Sequence, residues 1–264
     1  MRFALIGLVL LVVAYSVLRF MASSAVYYPI RYPDGWWSLQ GHAAAAEVWL
    51  TTGDGVKLNA WWIAAPDSHL ATVFFHGNGG NLTHRFDHMR AIAAAGSALL
   101  ILDYRGYGKS EGKPSESGLY EDADAAYQWV IGRGYAPKQV VIHGESLGTA
   151  VAVDLASRKP CAAVVLEAPF NSAAQVAASV LPVIGPLVMR DFDSKAKVGK
   201  IRAPMLFMQG DRDEVIPYRL GRDLYDAAPE PKSFWTIDGA GHNNLLDVAG
   251  DRYREHLSAF YAAI

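Results

Sequence analysis

The chain is 264 residues long, 52% hydrophobic and 19% charged, enough for one well-buried α/β domain and unlike a disordered or low-complexity protein. A formal net charge of −2 argues against the basic face that a nucleic-acid partner requires and favours a small-molecule or lipid-like substrate. The single cysteine, Cys161, excludes an internal disulfide and a cysteine metal cluster, and is expected to pack as a small apolar residue.

Residues 1–25 have the pattern of a signal anchor or signal peptide. Met1 and Arg2 precede residues 3–18, which carry no charge, and Arg19 interrupts before the small residues 23–25. The uncharged run is short against the ~20 residues of a membrane span, but Arg19 at a helix end can snorkel to the surface. The expectation is an uncleaved anchor, with the remaining residues 26–264 as one domain. Tyr27, Tyr28, Trp36 and Trp37 suit either an interfacial belt or ordinary packing. Arginines on both sides of the run give no firm orientation by the positive-inside rule, whereas signal-anchor logic places the domain on the outer side of the membrane.

Residues 47–52 and 56–64 read as strands of a hairpin turning at Gly53, Asp54 and Gly55. The apolar strand 71–75 runs into His76, Gly77, Asn78, Gly79 and Gly80, whose spacing is neither a dinucleotide fingerprint nor a P-loop. A helix is expected around 86–95, and His84 and His88 have the i, i+4 spacing of metal ligands. No Glu follows His84 and no third ligand is evident, so no metal is expected and both are read as exposed. Strand 98–103 follows, then a turn-rich loop over 105–114 and a helix over 114–132. The acids Glu121, Asp122 and Asp124 near its start complement the helix dipole.

The strand-like residues 139–142 lead to His143, Gly144, Glu145, Ser146, Leu147 and Gly148, and a helix over 147–157. In a Gly-x-Ser-x-Gly turn the serine is forced to positive φ, and only glycines two positions either side let strand and helix approach so closely. Ser146 is therefore the candidate nucleophile. Such a serine needs a histidine to take its proton and a carboxylate to orient that histidine. The buried strand 205–208 ends in the acidic loop 210–217, and strand 233–237 ends in a glycine-rich loop holding His242. The order Ser, acid, His is that of α/β-hydrolase triads. Asp213 is the favoured acid, with Asp211 and Glu167 as rivals. The amides of Asn78 and Leu147, the residue after the serine, are the candidate oxyanion donors. Helices are also expected over 218–227 and 244–262. Alternating strands and helices predict a mostly parallel, eight-stranded-type sheet with helices on both faces. Residues 171–203 form a short cap whose apolar stretch 180–189 suits an acyl groove, a bilayer contact or plain core.

Residues 76–81, 103–112, the Ser146 elbow, 210–217 and 239–242 together make the chain resemble a membrane-anchored α/β-hydrolase of the bud-emergence type, near the serine-aminopeptidase-like hydrolases. The resemblance spans nearly everything after residue 25. It implies an α/β-hydrolase fold, a Ser146, Asp213, His242 triad and a small-molecule or lipid-like acyl substrate, with no cofactor and no metal. Ester or thioester hydrolysis is the expected activity. Peptidase activity would need a site for a free amino terminus, for which Asp191 and Asp193 are the candidates. A catalytically silent anchored binding module is the alternative of a different class, and an intact triad weighs against it.

Overall fold

The computed structural model of the chain describes residues 2–264, apart from the side chains of residues 2–5 and 7. Helix α1 (Arg2–Ser24) exposes its apolar side chains from Leu8 to Val13. Among the described residues no helix is long and apolar enough to cross a membrane, and the anchor expected at 1–25 falls partly on residues outside the description. The chain continues through β1 (Tyr28–Pro29) and the single turn α2 (Leu39–His42). Strands β2 (Ala46–Thr51) and β3 (Lys57–Ile63) form the expected antiparallel hairpin, closed by Gly55 at φ +85°. After β4 (Ala71–Phe75) and the two-residue β5 (Gly79–Gly80), helix α3 (Phe86–Ala94) leads to β6 (Ala98–Leu102).

Helix α4 (Glu116–Gly132) starts two residues later than its sequence suggests, because Ser115 caps it, its Oγ accepting from the Gly118 N–H at 3.1 Å. Then come β7 (Val140–Glu145), α5 (Leu147–Arg158) and β8 (Ala163–Glu167). Residues 171–203 hold three short helices, α6 (Ala173–Val180), α7 (Gly185–Val188) and α8 (Lys195–Val198). The chain closes with β9 (Met205–Gly210), α9 (Tyr218–Ala227), β10 (Lys232–Ile237), α10 (Leu245–Ala249) and α11 (Asp251–Ala262). The last two were expected as one helix. Gly250, at φ +56°, breaks it.

The main sheet has eight strands in the order β10-β9-β8-β7-β4-β6-β3-β2. Its six strands from β10 to β6 are parallel, and β3 and β2 continue antiparallel. Central strands are apolar on both faces because helices cover both. Val73, Phe75, Ile142, Leu166 and Phe207 face a core shared with α4, α5 and α9. The alternating residues Phe74, Val141, Val165, Leu206 and Met208 face one shared with α3 and α11. All six parallel strands thus point their carboxyl ends to one edge, where ligands of open α/β sheets bind.

Candidate active site

At that edge β7 turns into α5 through Ser146, which sits at φ +50°, ψ −115°. The turn needs its two glycines. A Cβ on Gly148 would lie 1.9 Å from the Phe75 carbonyl oxygen, and one on Gly144 would lie 2.3 Å from that of Gly148. The Ser146 N–H is held by the Glu167 carbonyl at 2.8 Å, which fixes the elbow to β8.

Ser146 Oγ lies 2.9 Å from His242 Nε2, and His242 Nδ1 lies 2.8 Å from Asp213 Oδ2. The second oxygen of Asp213 accepts from the N–H groups of Val215 (3.0 Å) and Ile216 (2.7 Å), so the carboxylate is locked before it meets the imidazole. The two rival acids are engaged elsewhere. Asp211 accepts from the Gly239 N–H at 2.6 Å and ties two loops together. Glu167 is buried among His143, Tyr253 and His88, the last at 3.3 Å. Burial alone would raise its carboxyl, but His88 and His143 outweigh that and hold it well below the usual carboxylate range.

Leu147 is the first residue of α5, where helix geometry leaves N–H groups without intrahelical acceptors. Asn78 uses its other polar groups on the framework. Its carbonyl accepts from Tyr107 Oη at 2.8 Å and from the Tyr28 N–H at 3.1 Å, while its Nδ2 donates to the Val26 carbonyl at 3.0 Å. Leu147 thus follows Ser146 directly at the head of α5, and Asn78 is anchored on fixed backbone. A serine so placed, with a base in contact and a carboxylate behind that base, has the nucleophile and base that acyl transfer requires.

Three supports of this site escaped the sequence reading. Glu145, beside the nucleophile, takes Arg85 Nε at 2.5 Å and the Gly77 N–H at 3.3 Å, and Arg85 also donates to the Gly79 carbonyl at 3.3 Å. Burial would raise Glu145, but Arg85 and then His88 bring its carboxyl below its ordinary value. Residues 26–30 form a strap in which β1 pairs parallel with β5, Tyr28 donating to Asn78 and Ile30 to the Gly80 carbonyl at 2.9 Å. His76 is fully buried, pushed down to about 3 by burial and then by Arg85, and is therefore neutral.

Two further readings are corrected. His88 is half-buried, stacked on Phe74, and its imidazole is raised because Glu167 outweighs the effect of burial. Asp122 is buried and accepts from the Arg105 N–H and Nε, both at 2.8 Å, so it organises the 105–114 loop rather than simply facing the helix dipole.

Residues 66–192 match the family model of serine aminopeptidase, S33. Alpha/beta hydrolase domain-containing protein 17C of Homo sapiens is 35% identical over 230 residues, 85% of this chain and 68% of that protein. YfhR of Escherichia coli, itself an uncharacterized protein, is 32% identical over 268 residues, 96% of this chain and 92% of its own. The chain belongs to the α/β-hydrolase superfamily. An esterase of Pyrococcus furiosus superposes with a TM-score of 0.73 at 21% identity, over 90% of this chain and 98% of that one. An α/β-hydrolase of Vibrio vulnificus gives 0.72 at 22%, over 89% and 92%. At such identities the likeness is one of fold, and it makes the sheet described above an α/β-hydrolase sheet.

Proposed function

We propose that the protein is a serine hydrolase that cleaves carboxylic ester or thioester bonds, with Ser146 as nucleophile, His242 as general base, Asp213 as its orienting acid and the amides of Asn78 and Leu147 as the oxyanion hole. The observation that carries this is the unbroken chain from Ser146 Oγ to His242 (2.9 Å) to Asp213 (2.8 Å) at the strained elbow. His242 Nε2 takes the hydroxyl proton as Oγ attacks the carbonyl carbon. The tetrahedral oxyanion collapses, the leaving alcohol or thiol departs with that proton, and an acyl ester on Ser146 remains. Water, deprotonated by the same imidazole, then releases the acid and regenerates the serine.

Ester chemistry is placed ahead of aminopeptidase chemistry because both candidate acids already hold other groups. Asp191 faces Arg19 at 3.6 Å, and Asp193 accepts from the Ala196 N–H at 3.1 Å. The uncharged run at 3–18 and the exposed apolar side chains of α1 support attachment to a membrane through this helix, with the domain on the outer side and residues 171–203 as the cap.

Fluorophosphonate labelling of the full chain in membranes, beside Ser146→Ala and His242→Ala, tests the proposal. Labelling is expected in the wild type and in neither variant. A folded wild type that stays unlabelled would overturn the enzyme reading and favour the binding module.

A further inference from the structure

Past residue 36 the chain leaves eight large apolar side chains exposed, and five of them, Val180, Leu181, Val183, Ile184 and Leu187, lie in one stretch of eight residues. Val180 and Val183 are 77% and 76% exposed. Soluble surfaces rarely gather apolar side chains this way, and such patches mark interaction sites. The stretch is also held in shape. Gly185 packs against the Ala177 backbone so closely that a Cβ would lie 2.5 Å from its carbonyl oxygen, and at the foot of the segment Phe192 is wholly buried between Tyr27 and Tyr120.

Helix α1 runs beside it. Tyr15 Oη donates to the Leu187 carbonyl at 2.8 Å, and Arg19 meets Asp191 at 3.6 Å. The two contacts set a depth. At about 1.5 Å per residue, Tyr15 lies ~6 Å farther along the helix axis than Arg19. The uncharged run ends at Leu18, so the ion pair of Arg19 with Asp191 marks its polar edge and Leu187 lies ~6 Å inside it, within the ~5–10 Å to which interfacial apolar segments sink. Tyr28, Tyr32 and Trp36, all exposed, follow α1 on the polar side, where a membrane interface favours Tyr and Trp.

We infer that residues 180–187 are a second membrane-docking surface, which enters the headgroup and outer acyl layer of a phospholipid bilayer alongside α1. The inference rests on the membrane attachment proposed above. From this surface the chain reaches the active site by two routes. The strap after α1 hydrogen-bonds to the Asn78 loop, and the segment is joined through α6 to the end of β8, whose Glu167 carbonyl holds the Ser146 N–H. Docking at both points holds the site's mouth against the lipid surface.

The test uses the full chain with Cys161→Ser, reconstituted one copy per phospholipid nanodisc. Val183→Cys, Leu11→Cys on α1 and Val248→Cys on α10 are labelled singly with an environment-sensitive fluorophore, and a cooperative thermal melt of each variant shows that it is folded. At position 183 the emission should shift to the blue, resist aqueous iodide and be quenched by spin-labelled lipid, as at position 11, whereas position 248 should be quenched by iodide. If position 11 meets lipid while position 183 behaves like 248, docking by the 180–187 stretch is refuted and attachment through α1 stands. Iodide quenching at both 11 and 183 would overturn the attachment and this inference with it. Shielding of 183 that needs two copies per disc would assign the surface to a second copy of the chain and also refute lipid docking.

Discussion

Exchange of Asp213 for Asn tests the proposed triad most sharply, because the surrounding hydrogen bonds dictate how the new side chain must sit. Oδ1 of Asp213 accepts from the N–H groups of Val215 and Ile216, while Oδ2 faces His242 Nδ1 at 2.8 Å. In Asp213→Asn the amide oxygen keeps the two backbone donors, and the NH2 group turns to the imidazole. A donor there forces Nδ1 to become the acceptor, so the ring proton moves to Nε2. That nitrogen then presents N–H to Ser146 Oγ, 2.9 Å away, where a base is needed. In a Ser–His–Asp triad the same exchange costs about 10⁴ in kcat with the geometry intact, which is about 5 kcal/mol of transition-state stabilisation. Asp211→Asn and Glu214→Gln should stay within about tenfold of the wild type, because those groups hold backbone N–H groups of the loop and not the imidazole nitrogens. The assay is kcat on a soluble p-nitrophenyl ester together with the rate of fluorophosphonate labelling. An Asp213→Asn protein that unfolds cooperatively yet keeps activity within about tenfold of the wild type would refute the tautomer argument, and a large loss in Asp211→Asn alone would move the acid to that residue.

Gly148→Ala should cost about 3 kcal/mol or prevent folding, since its Cβ would meet the Phe75 carbonyl at 1.9 Å, whereas Gly132→Ala, with nothing within 4 Å, should be neutral or slightly stabilising; thermal melts compare them. Arg85→Met strands the half-buried Glu145 carboxylate and should lose about 1–3 kcal/mol in urea denaturation, with slower fluorophosphonate labelling because the 76–80 loop loses its brace. Burial pushes the Asp103 carboxyl up to about 7, against the Leu82 N–H that donates to it, so the unfolded chain gives up this proton at lower pH than the folded one. Its contribution is fully present below about pH 4 and is lost as pH rises through about 7, so Asp103→Asn should gain stability relative to the wild type between pH 5 and pH 8 in urea melts; no relative gain would refute the assignment. Deletion of residues 1–25 should preserve kcat on a soluble ester, whereas deletion of 1–32 removes the Tyr28 and Ile30 donors to the Asn78 loop and should lower it by about tenfold or more.

The elbow was legible in the sequence because its constraint is local. Two glycines flanking a serine between strand and helix leave few other conformations, and the observed φ of +50° at Ser146 is the one that spacing demands. The strand and helix order was legible for the same reason, since apolar runs of 4–6 residues bounded by polar loops report burial on both faces. The acid was not. Asp211, Asp213 and Glu167 all sit at strand ends, and the one that reaches His242 is settled by a turn in which Asp213 binds the N–H groups two and three residues ahead, and then by a contact 29 residues away. His88 was misread because its partner, Glu167, lies on the far strand β8, and Asp122 because Arg105 reaches it from the preceding loop. The strap was invisible for a related reason, since a two-residue strand carries no periodicity and pairs with glycines 51 residues away.

These illegible contacts share one place. Glu145 with Arg85, Glu167 with His88 and His143, and the strap with the Asn78 loop all gather where β4, β7 and β8 end, the edge at which the parallel strands leave their last backbone groups to be satisfied by loops. Charges buried there are tolerated only in pairs, and each pair joins segments distant in sequence. Arg85 with Glu145 and the strap brace the 76–80 loop, and Asp213 holds the imidazole, before any substrate arrives. A site whose donors are held by the fold needs no reorganisation as charge develops on the carbonyl oxygen, and that is the condition under which an oxyanion hole is most effective. Loss of a distant partner such as Arg85 should therefore slow acyl transfer without touching the substrate, a coupling that a reading of Ser146, Asp213 and His242 alone does not anticipate.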